Sequence, residues 1–403
     1  MRNRITTLLT CVAALAFLTG ADWRQFRGTE NQGVSGLTDL PITFSEEEGV
    51  AWKIPLPGRG PSSPIVVDGR VIVTCSSGAK EDRLHVLCFD VASGRLHWHR
   101  QLWATGHTVL HPFGANAAPT PASDGQLVFA FFSSNDLACF DLDGNLKWFR
   151  GLAFDYPAAR NDVGMSSSPI VLGDVVIVQV ENPGESFAAG IDITSGKTRW
   201  RIERDKSSLW ASPTVFPGKI RDEDLVLLQS RSKLTAHDPR TGETVWEYEA
   251  PCHTIASATT AGDIVYLPAN GLNALRYDRA SDSVELLWQS ERLRSNNSSP
   301  IVHQGRTYTI KAPSILVCGD AADGSVVWQV RLKGTMWATP VLAAGRLYCI
   351  NQNGLVQVVS LGQKGKLVGS TQLEQGMLAS PAVAAKALFL RSDGHLWKVS
   401  STK

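Results

Sequence analysis

The sequence predicts an all-β fold: eight four-stranded antiparallel blades closed into a ring, a β-propeller. Three observations predict it. Short apolar and β-branched runs alternate with turn residues along the chain, and glycine (35), proline (20) and tryptophan (12) are plentiful among 403 residues. One sequence frame recurs about every 45 residues. The last copy is one strand short, and a matching spare strand stands near the start. A lone four-stranded sheet cannot bury both faces, whereas sheets stacked around an axis bury each against the next.

The first segment reads as targeting rather than structure. Arg2 and Arg4 precede an apolar run, Ile5 to Leu18, and Thr19-Gly20-Ala21 forms a small-residue cleavage site. This predicts a signal peptide over 1–21, a mature chain from Asp22, and a periplasmic or secreted location. Cys11 lies inside the apolar run, so lipidation is not expected. Residues 22–48 form a leader, with Trp23 and Phe26 expected over the ring and Arg24 and Arg27 at its rim. A single propeller domain is expected over 49–403. Its first strand, around Val50 to Ile54, carries Trp52 and is expected to complete the last blade.

Each repeat opens on a short element of the Ser-Ser-Pro-Ile-Val kind, decaying to Ala-Pro-Thr-Pro-Ala at 118–122, with prolines at 64, 119, 169, 213, 300, 340 and 381 and Ala258 in the equivalent place. Each closes on Gly-x-x-x-Trp: Gly94 with Trp98, Gly144 with Trp148, Gly196 with Trp200, Gly242 with Trp246 and Gly324 with Trp328. Trp288 keeps the indole without the glycine, and Gly365 keeps the glycine with Gly369 in the tryptophan's place. Trp52, Trp98, Trp148, Trp200, Trp246, Trp288 and Trp328 are therefore expected to dock each blade on the next. Truncating one to alanine should cost about 3–5 kcal/mol.

The charge balance excludes other classes. With 39 basic and 38 acidic residues there is no field to attract nucleic acid, and no later run is long and apolar enough to span a bilayer. The six cysteines beyond Cys11 form no CxxC pair, and buried apolar roles are expected. No phosphate loop, nucleophile elbow or HExxH occurs. A monomer is expected.

The closing element, as in Phe89-Asp90-Val-Ala-Ser-Gly94-Arg-Leu-His-Trp98 and Ile191-Asp192-Ile-Thr-Ser-Gly196-Lys-Thr-Arg-Trp200, resembles the tryptophan-docking motif of pyrroloquinoline quinone (PQQ) repeats. The leader Trp23-Arg24-Gln25-Phe26-Arg27-Gly28 is similar to that of secreted bacterial PQQ-like propellers. The resemblance implies one of two activities. One is a non-catalytic scaffold that binds envelope or secreted proteins, peptides or a ligand, as BamB-like propellers do in outer-membrane protein assembly. The alternative is a PQQ- and calcium-dependent alcohol dehydrogenase. The chain lacks the adjacent cysteine pair and the haem motif CxxCH that often accompany the second, so no cofactor is expected.

Connectors from one blade's outer strand to the next blade's inner strand converge over the central channel. Three residues before each opening proline stand Pro61, Asn116, Ser166, Trp210, Ile255, Asn297, Trp337 and Leu378. Amides and indoles there suit a polar ligand or peptide. The two longest connectors, 103–117 and 153–166, add His111, Asn161 and Asp162. The expected binding residues are thus His111, Asn116, Asn161, Asp162, Trp210, Asn297 and Trp337. No metal site is expected, although Asn161 and Asp162 would be hard-oxygen donors if calcium were bound.

Overall fold

A computed structural model describes residues 22–160, 163–220, 223–374 and 376–401. The proposed signal peptide, 1–21, and the candidates Asn161 and Asp162 lie outside the described residues.

Strands form because β-branched and aromatic residues alternate between glycine and Asp/Asn turns. In blade 1 they are Ile65–Val67, Arg70–Ser77, Arg83–Asp90 and Leu96–Trp103, paired antiparallel in that order from channel to rim. The same four-strand order repeats in blade 2 (122–151), blade 3 (170–203), blade 4 (214–249), blade 5 (259–290), blade 6 (301–331) and blade 7 (341–372). Blade 8 takes three strands from the end of the chain, Ala382–Ala384, Ala387–Arg391 and His395–Val399. Its fourth is Val50–Pro55, with Lys53 opposite Trp397. The ring thus closes through backbone hydrogen bonds between the two ends of the chain. All six described cysteines are free and buried.

The repeat motif is an interblade lock. The indole N–H of Trp52, Trp98, Trp148, Trp200, Trp288 and Trp328 donates to a carbonyl in the next blade's last turn, at 2.8–3.2 Å. Each ring lies on that turn's glycine. A methyl group there would come within 3.0 Å of an indole carbon at Gly94, Gly144, Gly196, Gly242, Gly324 and Gly365. At the first five of these φ is also positive, +68° to +81°, so glycine is required both by backbone and by contact.

Where the frame lapses, the lock changes. Blade 5's last turn has no glycine, and the Nε1 of Trp246 is buried without a partner. That ring packs instead at 6.3 Å from Tyr277 and 6.1 Å from Phe216. Blade 7 has Gly369 where a tryptophan would stand, and the leader fills the place. Ile42 lies against Gly369, while Thr371 Oγ1 donates to the carbonyl of Phe44 (2.7 Å) and accepts its N–H (3.3 Å).

The rest of the leader closes the far end of the channel, touching inner strands in ring order. Trp23 exchanges both backbone hydrogen bonds with Val66 of blade 1, and the Arg24 carbonyl accepts Ser123 N–H of blade 2. Gln25 Oε1 accepts Val171 N–H of blade 3 (3.5 Å). Arg27 donates to Thr214 of blade 4 and to Thr259 and the Ala258 carbonyl of blade 5. Gly33 and Ser35 pair with Leu342 of blade 7. Arg27 is therefore not a rim residue. It is 3% exposed, and burial pushes its guanidinium down to about 9, still cationic at neutral pH. A branched set of hydroxyl and carbonyl acceptors meets its fork without any carboxylate in hydrogen-bond contact.

Candidate functional site

With one end plugged, the channel becomes a chamber of about 330 Å³, open toward the connectors. Its floor is Phe26. Above the floor runs a ring of eight hydroxyls, one per blade: Ser63, Thr120, Ser168, Ser212, Ser257, Ser299, Thr339 and Ser380. Each precedes the opening proline (or Ala258), the residue that starts the inner strand. The backbone N–H of each donates to the hydroxyl of the next at 2.9–3.0 Å, from Ser63 round to Ser380. A hydroxyl that accepts keeps its own O–H free to donate. Among the described residues none of the eight donates to a protein acceptor, so the O–H groups are available to the chamber.

The repeat frame with Pro119 does not single out this ring; a Ser or Thr stands before every opening position only once Pro121 opens blade 2, and the position three residues before the proline carries the next layer up. That layer holds Pro61, Ala118, Ser166, Trp210, Ile255, Asn297, Trp337 and Leu378. Trp210, Asn297 and Trp337 stand where the sequence places them. Trp210 Nε1 donates to the Gly164 carbonyl (2.6 Å) and Trp337 Nε1 to Gln352 Oε1 (3.0 Å), which fixes both indoles with their faces available for packing. Asn297 lines the chamber and its amide has no protein partner among the described residues.

Asn116 does not belong to the mouth. The opening proline of blade 2 is Pro121, since the strand Ala122–Ser123 follows it as Ile65 follows Pro64. Counting from Pro119 displaces the frame by two residues. Asn116 is fully buried: its Nδ2 donates to the Glu81 carbonyl (3.2 Å) and its Oδ1 accepts Ser134 N–H (2.8 Å). It ties a connector to two hairpin turns.

The long connectors lie over the mouth. His111 N–H donates to the Val163 carbonyl (2.7 Å), joining the two, and His111 faces the chamber. The Phe113 ring reaches across to 6.1 Å from Trp337. Phe26, Phe113, Leu110 and Met165 also line the chamber, and nothing in the repeat pattern singled out the last two.

The described lining is uncharged. No Asp, Glu, Lys or Arg lines the chamber among the described residues, and His111 is its one titratable side chain. Calcium takes six to eight oxygens, largely carboxylate, and PQQ is a tricarboxylate that needs cationic partners. This donor set does not fit either. Among the described residues no three His, Cys, Asp or Glu side chains gather to hold a metal ion. Away from the chamber, Ser77 Oγ, His85 and His99 form a hydrogen-bonded chain in blade 1, with steps of 2.8 and 2.9 Å. Burial, then His99, then Arg83 holds His85 down to about 4, so it is neutral at pH 7.

Fold and chamber together define an eight-bladed propeller of the PQQ-repeat kind. A family model described as "Outer membrane protein assembly factor BamB" matches residues 42–162, 158–275 and 273–366, and the chain belongs to that family. It is similar to outer membrane protein assembly factor BamB of Legionella pneumophila (strain Paris), 27% identical over 195 residues. That match covers 44% of this chain and about half (49%) of the relative. Among solved structures, BamB from Moraxella catarrhalis aligns with TM-score 0.64 and 16% identity, covering 87% of this chain and 97% of that one. A europium-containing methanol dehydrogenase aligns with TM-score 0.71 and 13% identity, covering 93% and 90%. The quinohemoprotein alcohol dehydrogenase of Comamonas testosteroni aligns with TM-score 0.68 and 13% identity, covering 95% and 81%. At such identities these structures share the fold. No helix among the described residues is long and apolar enough to cross a membrane.

Proposed function

We propose that this chain is a non-catalytic binding propeller of the bacterial envelope, periplasmic or secreted, which engages a protein partner through the connectors over blades 1 and 2. One observation carries the reading. The large apolar side chains more than half exposed among the described residues are Trp103, Val109, Phe113 and Phe154, and all four stand on these connectors. A soluble surface rarely gathers such residues without a partner. The connectors adjoin, with Thr105 against Gly151 and Gly106 against Ala153. Membership in a family described as an outer-membrane protein assembly factor supports an envelope protein as that partner. The described lining of the chamber, which carries no charged side chain, supports binding over redox chemistry.

The test is site-specific photo-crosslinking in the producing cell. A crosslinking residue at Phe154 should capture an envelope protein, and the adduct should vanish with Trp103→Asp. The same residue at Leu286, on blade 5's outer strand, should capture nothing. Equal yields at the two sites would remove the proposal.

A further inference from the structure

We infer that the chamber is a binding site for a neutral, polyhydroxylated six-membered ring, a sugar of the pyranose class. This goes beyond the scaffold reading and does not depend on it, since the connector face and the chamber use different residues apart from Phe113.

A charged ligand in this chamber would leave water for walls that, among the described residues, supply no counter-charge, at a cost of several kcal/mol. A neutral ligand avoids that cost. The hydroxyl ring then sets the ligand's polarity. Eight buried hydroxyls, each at most 8% exposed, already accept a backbone N–H or sit in line with those that do. What each has left to offer is its O–H donor and an unused lone pair, arranged around a circle. The matching ligand carries hydroxyls, which both accept and donate, around its whole perimeter. A flat aromatic ligand with one or two oxygens would leave most donors unmatched.

The layer above sets its shape. Trp210 and Trp337 come from blades three steps apart, so their indoles flank the mouth from different sides, and Phe26 closes the floor. An apolar floor and indoles flanking the mouth, with polar groups around the ring below, match a pyranose, whose C–H faces pack on aromatic rings while its hydroxyls point outward. Asn297 supplies one amide that can both donate and accept, and so orient the ring. Size agrees as well. A cavity of about 150 Å³ holds benzene, so 330 Å³ admits one or two six-membered rings.

The experiment uses the full mature chain and a panel of glucose, galactose, mannose, N-acetylglucosamine and their β-linked disaccharides. Binding is read by tryptophan fluorescence and by saturation transfer from protein to sugar protons. At least one neutral sugar should bind, with saturation strongest at C–H protons. The corresponding uronic acid and amino sugar should bind about tenfold more weakly or worse. Trp337→Ala should weaken the neutral sugar about tenfold. Should that variant fail to fold, Asn297→Leu and Ser257→Ala, which remove single polar groups, should each weaken it without changing the far-ultraviolet circular dichroism. No neutral sugar binding up to about 20 mM, affinity unchanged in these variants, or tighter binding of PQQ with Ca²⁺ than of any sugar would each overturn the assignment. Loss of the crosslink at Phe154 leaves this result untouched.

Discussion

Replacing Gly196 with alanine isolates the interblade lock from the backbone strain that accompanies it. At Gly196 φ is +68°, and an added Cβ would lie 2.7 Å from Cδ2 of Trp148. At Gly305 φ is +71°, and an added Cβ meets nothing within 4 Å. Both substitutions put a side chain in the left-handed region, at about 1–2 kcal/mol. Only the first must also displace an indole that donates to the Ile193 carbonyl at 2.8 Å. Overpacking of this kind costs about 1–3 kcal/mol, and loss of the indole hydrogen bond about 1 more. Gly196→Ala should therefore destabilise by about 3–6 kcal/mol and Gly305→Ala by about 1–2. Urea unfolding followed by far-ultraviolet circular dichroism gives both values. If the two variants agree within about 0.5 kcal/mol, the glycine recurs in the repeats for its backbone alone, and the lock has no steric component.

Other outcomes follow from the same geometry. Trp98→Phe should cost about 1 kcal/mol more than Trp246→Phe, because Trp98 Nε1 donates to Leu142 at 2.9 Å and Trp246 Nε1 donates to nothing; urea midpoints decide it. Arg27→Ala should cost about 3 kcal/mol or more, since it strips four hydrogen-bond acceptors in the plugged end of their donor; a loss below about 1 kcal/mol would show the plug is marginal. His85 and His237 are both held down to about 4, each first by burial. The native state then binds fewer protons than the unfolded chain below pH 6.5, so stability is intact above 6.5 and falls as pH drops toward 4, by about 2–3 kcal/mol per histidine. Urea midpoints between pH 7 and pH 4.5 should show this slope, and His85→Gln with His237→Gln should flatten it.

What the sequence determined by itself is the ring. Composition, the 45-residue frame, Gly-x-x-x-Trp and the spare strand with Trp52 are local signals, and each reflects a contact made once per repeat, so repetition amplifies it. Even the lapses were visible: Trp288 without its glycine, and Gly365 with Gly369 in its tryptophan's place. What stands in for each missing part was not visible, because the substitutes come from outside the frame. Tyr277 receives Trp246, and Ile42 and Phe44 of the leader occupy the seam at Gly369. The site was half legible for the same reason. Trp210, Asn297 and Trp337 hold repeat positions and line the chamber, whereas Asn116 was misassigned when two prolines competed for one place. Only the tertiary structure turned the leader into a plug, buried Arg27 rather than leaving it at the rim, and brought the Phe113 ring across the mouth to Trp337. Those positions depend on where a non-repeating segment meets a closed ring, and no local periodicity encodes a contact between residues hundreds of positions apart.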